Sequence, residues 1–449
     1  MPRRTNHPLS QPLFNEPTFG EGGKILPDPD HFAVKHLSDK AIYAQLDVTK
    51  ALQRDVIAFD KSRLPDQETY PLENAFGSQG ADFVRSISRN NKIVFHLVGD
   101  SGATQEGKKY KDELGVSDVL SSESRSASPA DCPAFLYHLG DVVYDFGEAN
   151  YYYDQFYDAF RNYNGPIFAI PGNHDSFIVP GTSRADEPLR IFERNFCATT
   201  PNITPEAKSL HRTAMTQPGV YFTLDAPFVR IIGLFSNSLE DPGVISSENG
   251  NWPDVPDFQL DYLRAHLAKI KDENYSGAVL LAMHHPPFSY KPKRGAASSS
   301  NHGGSPAMLR QIDAICEDVG VYPHAFLSGH AHNYQRYTRS FTFKKGKEDY
   351  QVPFIVCGNG GHNASPLVYQ DYKHLQDPEP GSDVTYLESK PAFATNGLSM
   401  DYFDDYNYGY LRATVDKNQL AITYTPTATA GGIHPDTVTV DLSSHRLVK

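Results

Sequence analysis

The chain reads as an α/β protein, a four-layer α/β/β/α sandwich of two mixed β-sheets. Short apolar runs alternate with helical stripes through its middle, hairpin patterns take over toward the C-terminus, and each motif able to carry chemistry directly follows an apolar run. The first runs, at 92–98, 135–139, 166–170, 220–225, 228–235, 278–283 and 325–328, are short and apolar enough for buried strands. Helices are expected between several of them, notably at 257–271 and 306–318. In the former, Phe258, Leu260, Leu263, Leu267 and Ile270 recur at helical spacing behind Asp257, an N-cap residue type. Beyond Asn333 the pattern predicts hairpins: 341–343 with 354–356 across a Lys-Gly-Lys turn, and 410–415 with 420–424 across 416–418. A second, more antiparallel sheet follows, and packing it on the first with helices outside gives the four layers.

Residues 1–90, rich in Pro, Asn and Asp with a modest helical pattern at 50–59, read as an extension packed on a catalytic domain spanning 91–449. The Ser-rich tract within 103–131 lacks core-forming residues and reads as a surface insertion. A length of 449 residues, 39% of them hydrophobic, allows a large core, and 26 Tyr with 26 Phe suit a β-rich one. A formal charge of −13 without dense Lys/Arg clusters argues against nucleic acid as a binding partner. No run approaches a membrane span, and no apolar stretch follows the basic residues at the N-terminus, so a cytoplasmic location is expected, or a secreted or periplasmic one if a leader has been removed. Four scattered cysteines without Cys-x-x-Cys spacing read as free buried thiols.

Five blocks carry the chemistry: Gly99-Asp100-Ser101-Gly102, Gly140-Asp141-Val142-Val143-Tyr144, Gly172-Asn173-His174-Asp175, Met283-His284-His285-Pro286 and Gly329-His330-Ala331-His332. Each falls where a strand would end, the position at which open α/β sheets place their sites. Hydrolysing a phosphate ester needs a strong nucleophile and neutralised phosphoryl oxygens, and two neighbouring cations supply both. Asp141 is the natural bridge, with one oxygen for each ion. Asp100 adds a hard oxygen, and Asn173, His284, His330 and His332 complete a mixed N/O set suited to iron, zinc or manganese. His174, adjacent to Asn173, is free to face substrate as a general acid. His285 points either into the pocket or behind the ligand beside it.

In this order the blocks resemble the signature of purple acid phosphatases within the calcineurin-like metallophosphoesterase superfamily, over roughly 92–361. Ordinary superfamily members carry Asp-x-His in the first block; here position 102 is Gly, and Tyr144 appears in the second block. The resemblance implies the metallophosphoesterase fold and an acid phosphatase acting on small phosphate monoesters through metal-activated water. It also implies Fe(III) on Asp100, Asp141, Tyr144 and His332, and a divalent ion (Zn, Mn or Fe) on Asp141, Asn173, His284 and His330. His302 is a further substrate-side candidate on the same ground. A phosphodiesterase or phospholipase-type hydrolase using the same ions is the alternative, with Asn237, Phe288, Tyr290, Tyr334 and Arg336 as expected pocket walls and Asn333 and Gln335 as departures able to shift substrate preference. A non-catalytic metal-binding protein would be expected to lack a ligand or an acid, and neither is missing.

Plainer readings apply elsewhere. His96 and His138 lie inside strands and read as hydrogen-bonded core histidines. The aromatic run from Tyr151 to Phe160 reads as a packing face, and Gly358 to Gly361 as a turn after a strand as readily as a phosphate cradle.

Overall fold

The computed structural model describes residues 30–34, 69–104, 107–177, 189–208, 210, 212–253, 255–290, 302–343, 348–365, 367, 382–383, 397–428 and 434–448. The expected helix at 50–59 and the hairpin turn at 344–347 lie outside them. The described strands are β1 (Tyr70–Pro71), β2 (Lys92–Val98), β3 (Leu136–His138), β4 (Ile167–Ala169), β5 (Phe222–Ala226), β6 (Val229–Leu234), β7 (Ala278–Met283) and β8 (Ala325–Ser328). They continue with β9 (Tyr334–Phe343), β10 (Glu348–Cys357), β11 (Ser382–Asp383), β12 (Leu398–Asp404), β13 (Gly409–Asp416), β14 (Gln419–Pro426), β15 (Asp436–Asp441) and β16 (Arg446–Leu447).

They form two mixed sheets. One runs β1-β5-β6-β7-β8-β10-β9-β12-β11 and the other β16-β15-β14-β13-β2-β3-β4. In the first, β6, β7, β8 and β10 are parallel neighbours; in the second, β2, β3 and β4 are. The sheets meet through rings: Tyr137 and Phe168 from the second both pack on Phe222 of the first, at centroid distances of 6.0 and 6.1 Å. Helix α1 (Gly80–Arg89) lies against β2 and α2 (Lys108–Ser126) against β13, followed in the chain by the short α3 (Arg190–Phe196). On the far side α4 (Phe258–Asp272) lies beside α5 (Pro306–Val319) and against β6, giving an α/β/β/α architecture.

Several local expectations change. Residues 103–131, expected as a surface insertion, hold α2, which connects the parallel strands β2 and β3. Two of its buried serines turn their hydroxyls back on the helix, Ser117 Oγ donating to Leu114 O at 3.3 Å and Ser124 Oγ to Ser121 O at 2.8 Å. Glu123 on the same helix meets His96 Nε2 at 2.9 Å and accepts the Tyr410 hydroxyl, so the helix docks on its sheet partly by polar contacts that a hydrophobicity pattern does not register. In the β9–β10 pair Phe343 lies opposite Glu348, so Phe354 pairs with Tyr337 and not with 341–343. Asp257 does precede α4, but its carboxylate accepts from Ser247 N and Oγ and makes no cap bond to the helix. The 410–415 hairpin pairs as expected, with Val415 opposite Leu420 and Leu411 opposite Tyr424.

Described parts of the N-terminal region engage the rest of the chain. Strand β1 pairs parallel with β5, His31 Nδ1 lies 2.9 Å from Asp158 Oδ2, and Phe32 N donates to Asp154 Oδ1 at 2.6 Å. The cysteines are all free, and no described helix is long and apolar enough to cross a membrane.

Far from the chemistry, His324 accepts from Val279 N and donates from Nε2 to Leu442 O, and His445 stacks on it at 3.9 Å. Burial pushes the two imidazoles down, to about 4 and about 2, the charge of His324 adding to the effect at His445. Both folded values lie below the ~6.5 of a free histidine, so the unfolded chain takes up more protons on acidification. The stability they contribute is complete above that value and declines as pH falls from it toward 4. The melting temperature should therefore drop across this window, and His324→Asn should flatten the drop; an identical slope in the variant would exclude this pair as its source.

Candidate metal centre

The parallel strands of both sheets end in one place. Asp100 follows β2, Asp141 follows β3 and Asn173 follows β4; His284 follows β7, and His330 and His332 follow β8. Gly99 N donates across the seam to Cys357 O at 3.1 Å, and within the second sheet Asp100 N donates to Gly140 O at 3.0 Å. To turn their side chains inward, Asp100, Asp141 and His330 adopt left-handed backbone, with φ of 57°, 56° and 68°. Such residues cost of order 1–3 kcal/mol each and concentrate at functional sites. Glycine permits the crowding: a Cβ at Gly172 would stand 2.0 Å from Asp141 Oδ1.

Two donor groups result. Ligand atoms of Asp141, His284 and His330 lie within 4.8 Å of one another, and so do those of Asp100, Asp141 and His332, with Asp141 common to both. This is a candidate binuclear site of His and Asp side chains. Asn173 Oδ1 lies 3.1 Å from both His284 Nε2 and His330 Nδ1, extending the first group. The Tyr144 hydroxyl lies 3.1 Å from Asp100 Oδ1 and 3.3 Å from His332 Nε2, extending the second. All these residues are buried except His332, which is partly so.

The proton inventory fits cations. His284 Nδ1 donates to Leu139 O at 2.8 Å and His330 Nε2 to Glu240 O at 2.6 Å; because carbonyls only accept, the other nitrogen of the neutral His330 ring, Nδ1, turns a lone pair toward Asn173 Oδ1, as His284 Nε2 does once that ring gives up its second proton. With both rings neutral, two nitrogen lone pairs and the Asn173 amide oxygen converge, an arrangement suited to a cation between them. Asp141 Oδ1 accepts from His174 N at 2.9 Å, while buried Oδ2 has no hydrogen-bond partner and lies 3.3 Å from His284 Nε2. Without a cation, burial pulls the His284 imidazole down, but the Asp141 and Asp100 carboxylates outweigh it and hold the ring up at about 9. A bound cation would replace that proton. Oδ1 keeps a second lone pair beside its backbone bond, so both Asp141 oxygens are available to cations, as the sequence leads one to expect.

The substrate-side candidates fare differently. His174 donates from Nδ1 to Asp145 O at 2.7 Å, and its Nε2 lies 4.0 Å from Asp141 Oδ2. His302 packs on His330 at a centroid distance of 4.0 Å with a tilt of 30° and, with Asp241, forms a further donor group around that ring. His285 is buried, its Nδ1 meeting Ser236 Oγ at 2.8 Å and its Nε2 donating to Leu239 O. Both nitrogens are thereby committed, and it stands behind His330 rather than in the pocket. Most expected wall residues are also committed: Tyr334 and Arg336 bond Asp436, Phe288 packs on Phe354, and Asn237 shapes the 237–244 loop through Val244 O. Gln335 accepts from Tyr290 N and donates to Asn333 and Ser289, bracing the loop after His284.

His96 and His138 are bonded core residues, to Glu123 and to Ser101, and the Tyr151–Phe160 aromatics are buried. Gly358 to Gly361 is a packed turn, with Gly360 N donating to Gly99 O.

Three supporting residues escaped the sequence reading. Asp175 accepts from the backbone N–H groups of Val142, Val143 and Gly172 and fixes the loop after Asp141; burial and the Asp141 charge push its carboxyl up to about 7. Gln155 grips Tyr144 through both its N–H and its carbonyl, and His362 lies flat on the Tyr144 ring. Only Asp175 had a sequence signal, its place inside a motif block.

Comparison with known proteins gives the class. A family model for calcineurin-like phosphoesterases matches residues 95–334, more than half of the chain, and the protein belongs to that family. The donor set of His and Asp side chains described above lies within or beside the matched residues and suits the metal ions such a family employs. Among solved structures it is similar to a purple acid phosphatase from yellow lupin (Lupinus luteus) seeds, at 14% identity and a TM-score of 0.46, covering 79% of this chain and 54% of that one. The chain thus spans about half the length of the lupin protein. It is also similar to GAP50, the anchor in the inner membrane complex of Plasmodium (12% identity, 77% of this chain and 88% of that one, TM-score 0.46). PhoD is a further structural relative (14% identity, 80% and 72%, TM-score 0.45). No curated protein matches the sequence.

Proposed function

We propose that the protein is a binuclear-metal phosphomonoesterase of the purple acid phosphatase type. Asp100, Asp141, Tyr144 and His332 would hold Fe(III), and Asp141, Asn173, His284 and His330 a divalent Zn, Mn or Fe. The observation that carries the reading is the exchange at position 102. A Cβ there would stand 2.4 Å from Gln155 Oε1, 2.6 Å from Val142 O and 3.3 Å from Tyr144 Cδ2, so no side chain fits beside the phenol that faces Asp100 and His332. A hard phenolate oxygen in place of an imidazole favours a trivalent ion.

When bound, such a pair acidifies a water molecule and neutralises charge on the phosphoryl oxygens. The chain's own contribution is positional. His174, held by the Asp145 carbonyl through Nδ1, presents Nε2 to the cleft, where as an imidazolium it donates a proton to the leaving oxygen. His302 and His174 flank the two donor groups and orient the phosphate. Replacing His174 with Asn should lower kcat by about 10²–10⁴-fold for alkyl phosphates, whose leaving groups need a proton, and by much less for nitrophenyl phosphate. Equal losses on both substrates would remove the acid role.

The experiment for the reading as a whole combines metal analysis, a visible absorption spectrum, and turnover of an aryl phosphate against a bis-aryl phosphate. Iron with one further transition metal, a visible band and monoester preference are expected. Diester preference with the same metals would move the assignment to a phosphodiesterase, and a colourless protein would remove the phenolate.

A further inference from the structure

We propose that His362 is a positioning residue that sets the orientation of the Tyr144 phenolate and with it the energy of its charge-transfer band. This rests on the ferric-phenolate reading above. The imidazole lies on the phenol at a centroid distance of 3.5 Å and an interplanar angle of 11°, while His174 covers the ring at 4.3 Å with a tilt of 41°. The phenol is wholly buried, and its remaining freedom is rotation about its own axis. A flat neighbour at this distance opposes that rotation, which would otherwise swing the oxygen orbitals relative to an ion between Asp100 and His332.

His362 is itself held on two sides. Its Nδ1 donates to Gly102 O at 2.6 Å, and its backbone N–H donates to Asp100 O at 3.0 Å. The ring thus links the first motif block, the Gly358–Gly361 turn and the tyrosine of the second block. Gln155 fixes the backbone of Tyr144, with Nε2 donating to its carbonyl at 2.6 Å and Oε1 accepting its N–H at 2.7 Å. Backbone and ring are therefore held by different residues, and the ring's holder can be changed separately.

The test compares iron-loaded wild type with His362→Ala and His362→Phe, reading visible absorption and circular dichroism, iron content and melting temperature. Ala should shift and broaden the band, and Phe, which keeps a flat ring but loses the Gly102 bond, should bring it back toward the wild-type position. An unchanged band in His362→Ala would overturn the proposal. If Ala loses iron, Phe decides: a wild-type-like band supports stacking as the cause, and iron loss there as well overturns it. A colourless iron-loaded wild type would overturn the phenolate reading itself, an outcome separate from either variant's.

Discussion

Replacing Asp141 with Asn should abolish phosphatase turnover, lowering kcat/KM by at least about 10³-fold, and should leave less than the full complement of two ions in the purified protein. Metal ions are worth several kcal/mol of charge stabilisation in such a transition state, and each ~1.4 kcal/mol is tenfold in rate. Asp141 belongs to both donor groups, so its loss weakens both together. The metal-free variant should nevertheless fold with a stability within about 1 kcal/mol of wild type, the ordinary range for a substitution that leaves no buried group unsatisfied. An amide oxygen still accepts from His174 N, the amide nitrogen can donate to His284 Nε2, and that imidazole then no longer needs its proton. Metal content, steady-state kinetics and a metal-free melt measure all three. Two tightly held ions in the variant would show that the shared carboxylate has been misassigned.

Tyr144→Phe should erase the visible band while preserving the fold, since one hydroxyl is removed from a ring that keeps its packing. Burial, then the Asp100 and Asp141 charges, hold the phenol far above its ordinary range when no cation is present. A phenolate at this position therefore exists only with a strongly charged ion beside it, and ion uptake should release a proton in the wild type that is missing in the variant. Activity should fall by about 10- to 100-fold, the range seen when the surroundings of a metal centre are disturbed. A band unchanged in the variant would place the chromophore elsewhere.

The candidate ligands were legible because each sits at the junction of two readable signals, an apolar run and a Gly-flanked polar block. Strands β2, β7 and β8 run over the expected residues, since a buried parallel strand is marked along its whole length. What failed to show was set by contacts distant in sequence. Helix α2 was obscured because its polar residues are placed by bonds made only after folding, Glu113 accepting from Ala103 N and Glu123 meeting His96 and Tyr410. The commitment of His285 rests on Ser236 and Leu239, well back in the chain. His362 gave no signal because its meaning comes from Tyr144, more than two hundred residues earlier.

The donors divide between the two layers: Asp100, Asp141, Tyr144 and Asn173 hang from one sheet, His284, His330 and His332 from the other. Any ion held by both sets acts as a rivet through the sandwich. Loading it stabilises the native state by mass action, with melting temperature rising as free metal exceeds its dissociation constant. Amide hydrogens along the riveted edge, at Gly99, Asp100 and Gly329, would exchange more slowly in the loaded protein, while those of the distant β14–β15 ladder would change least.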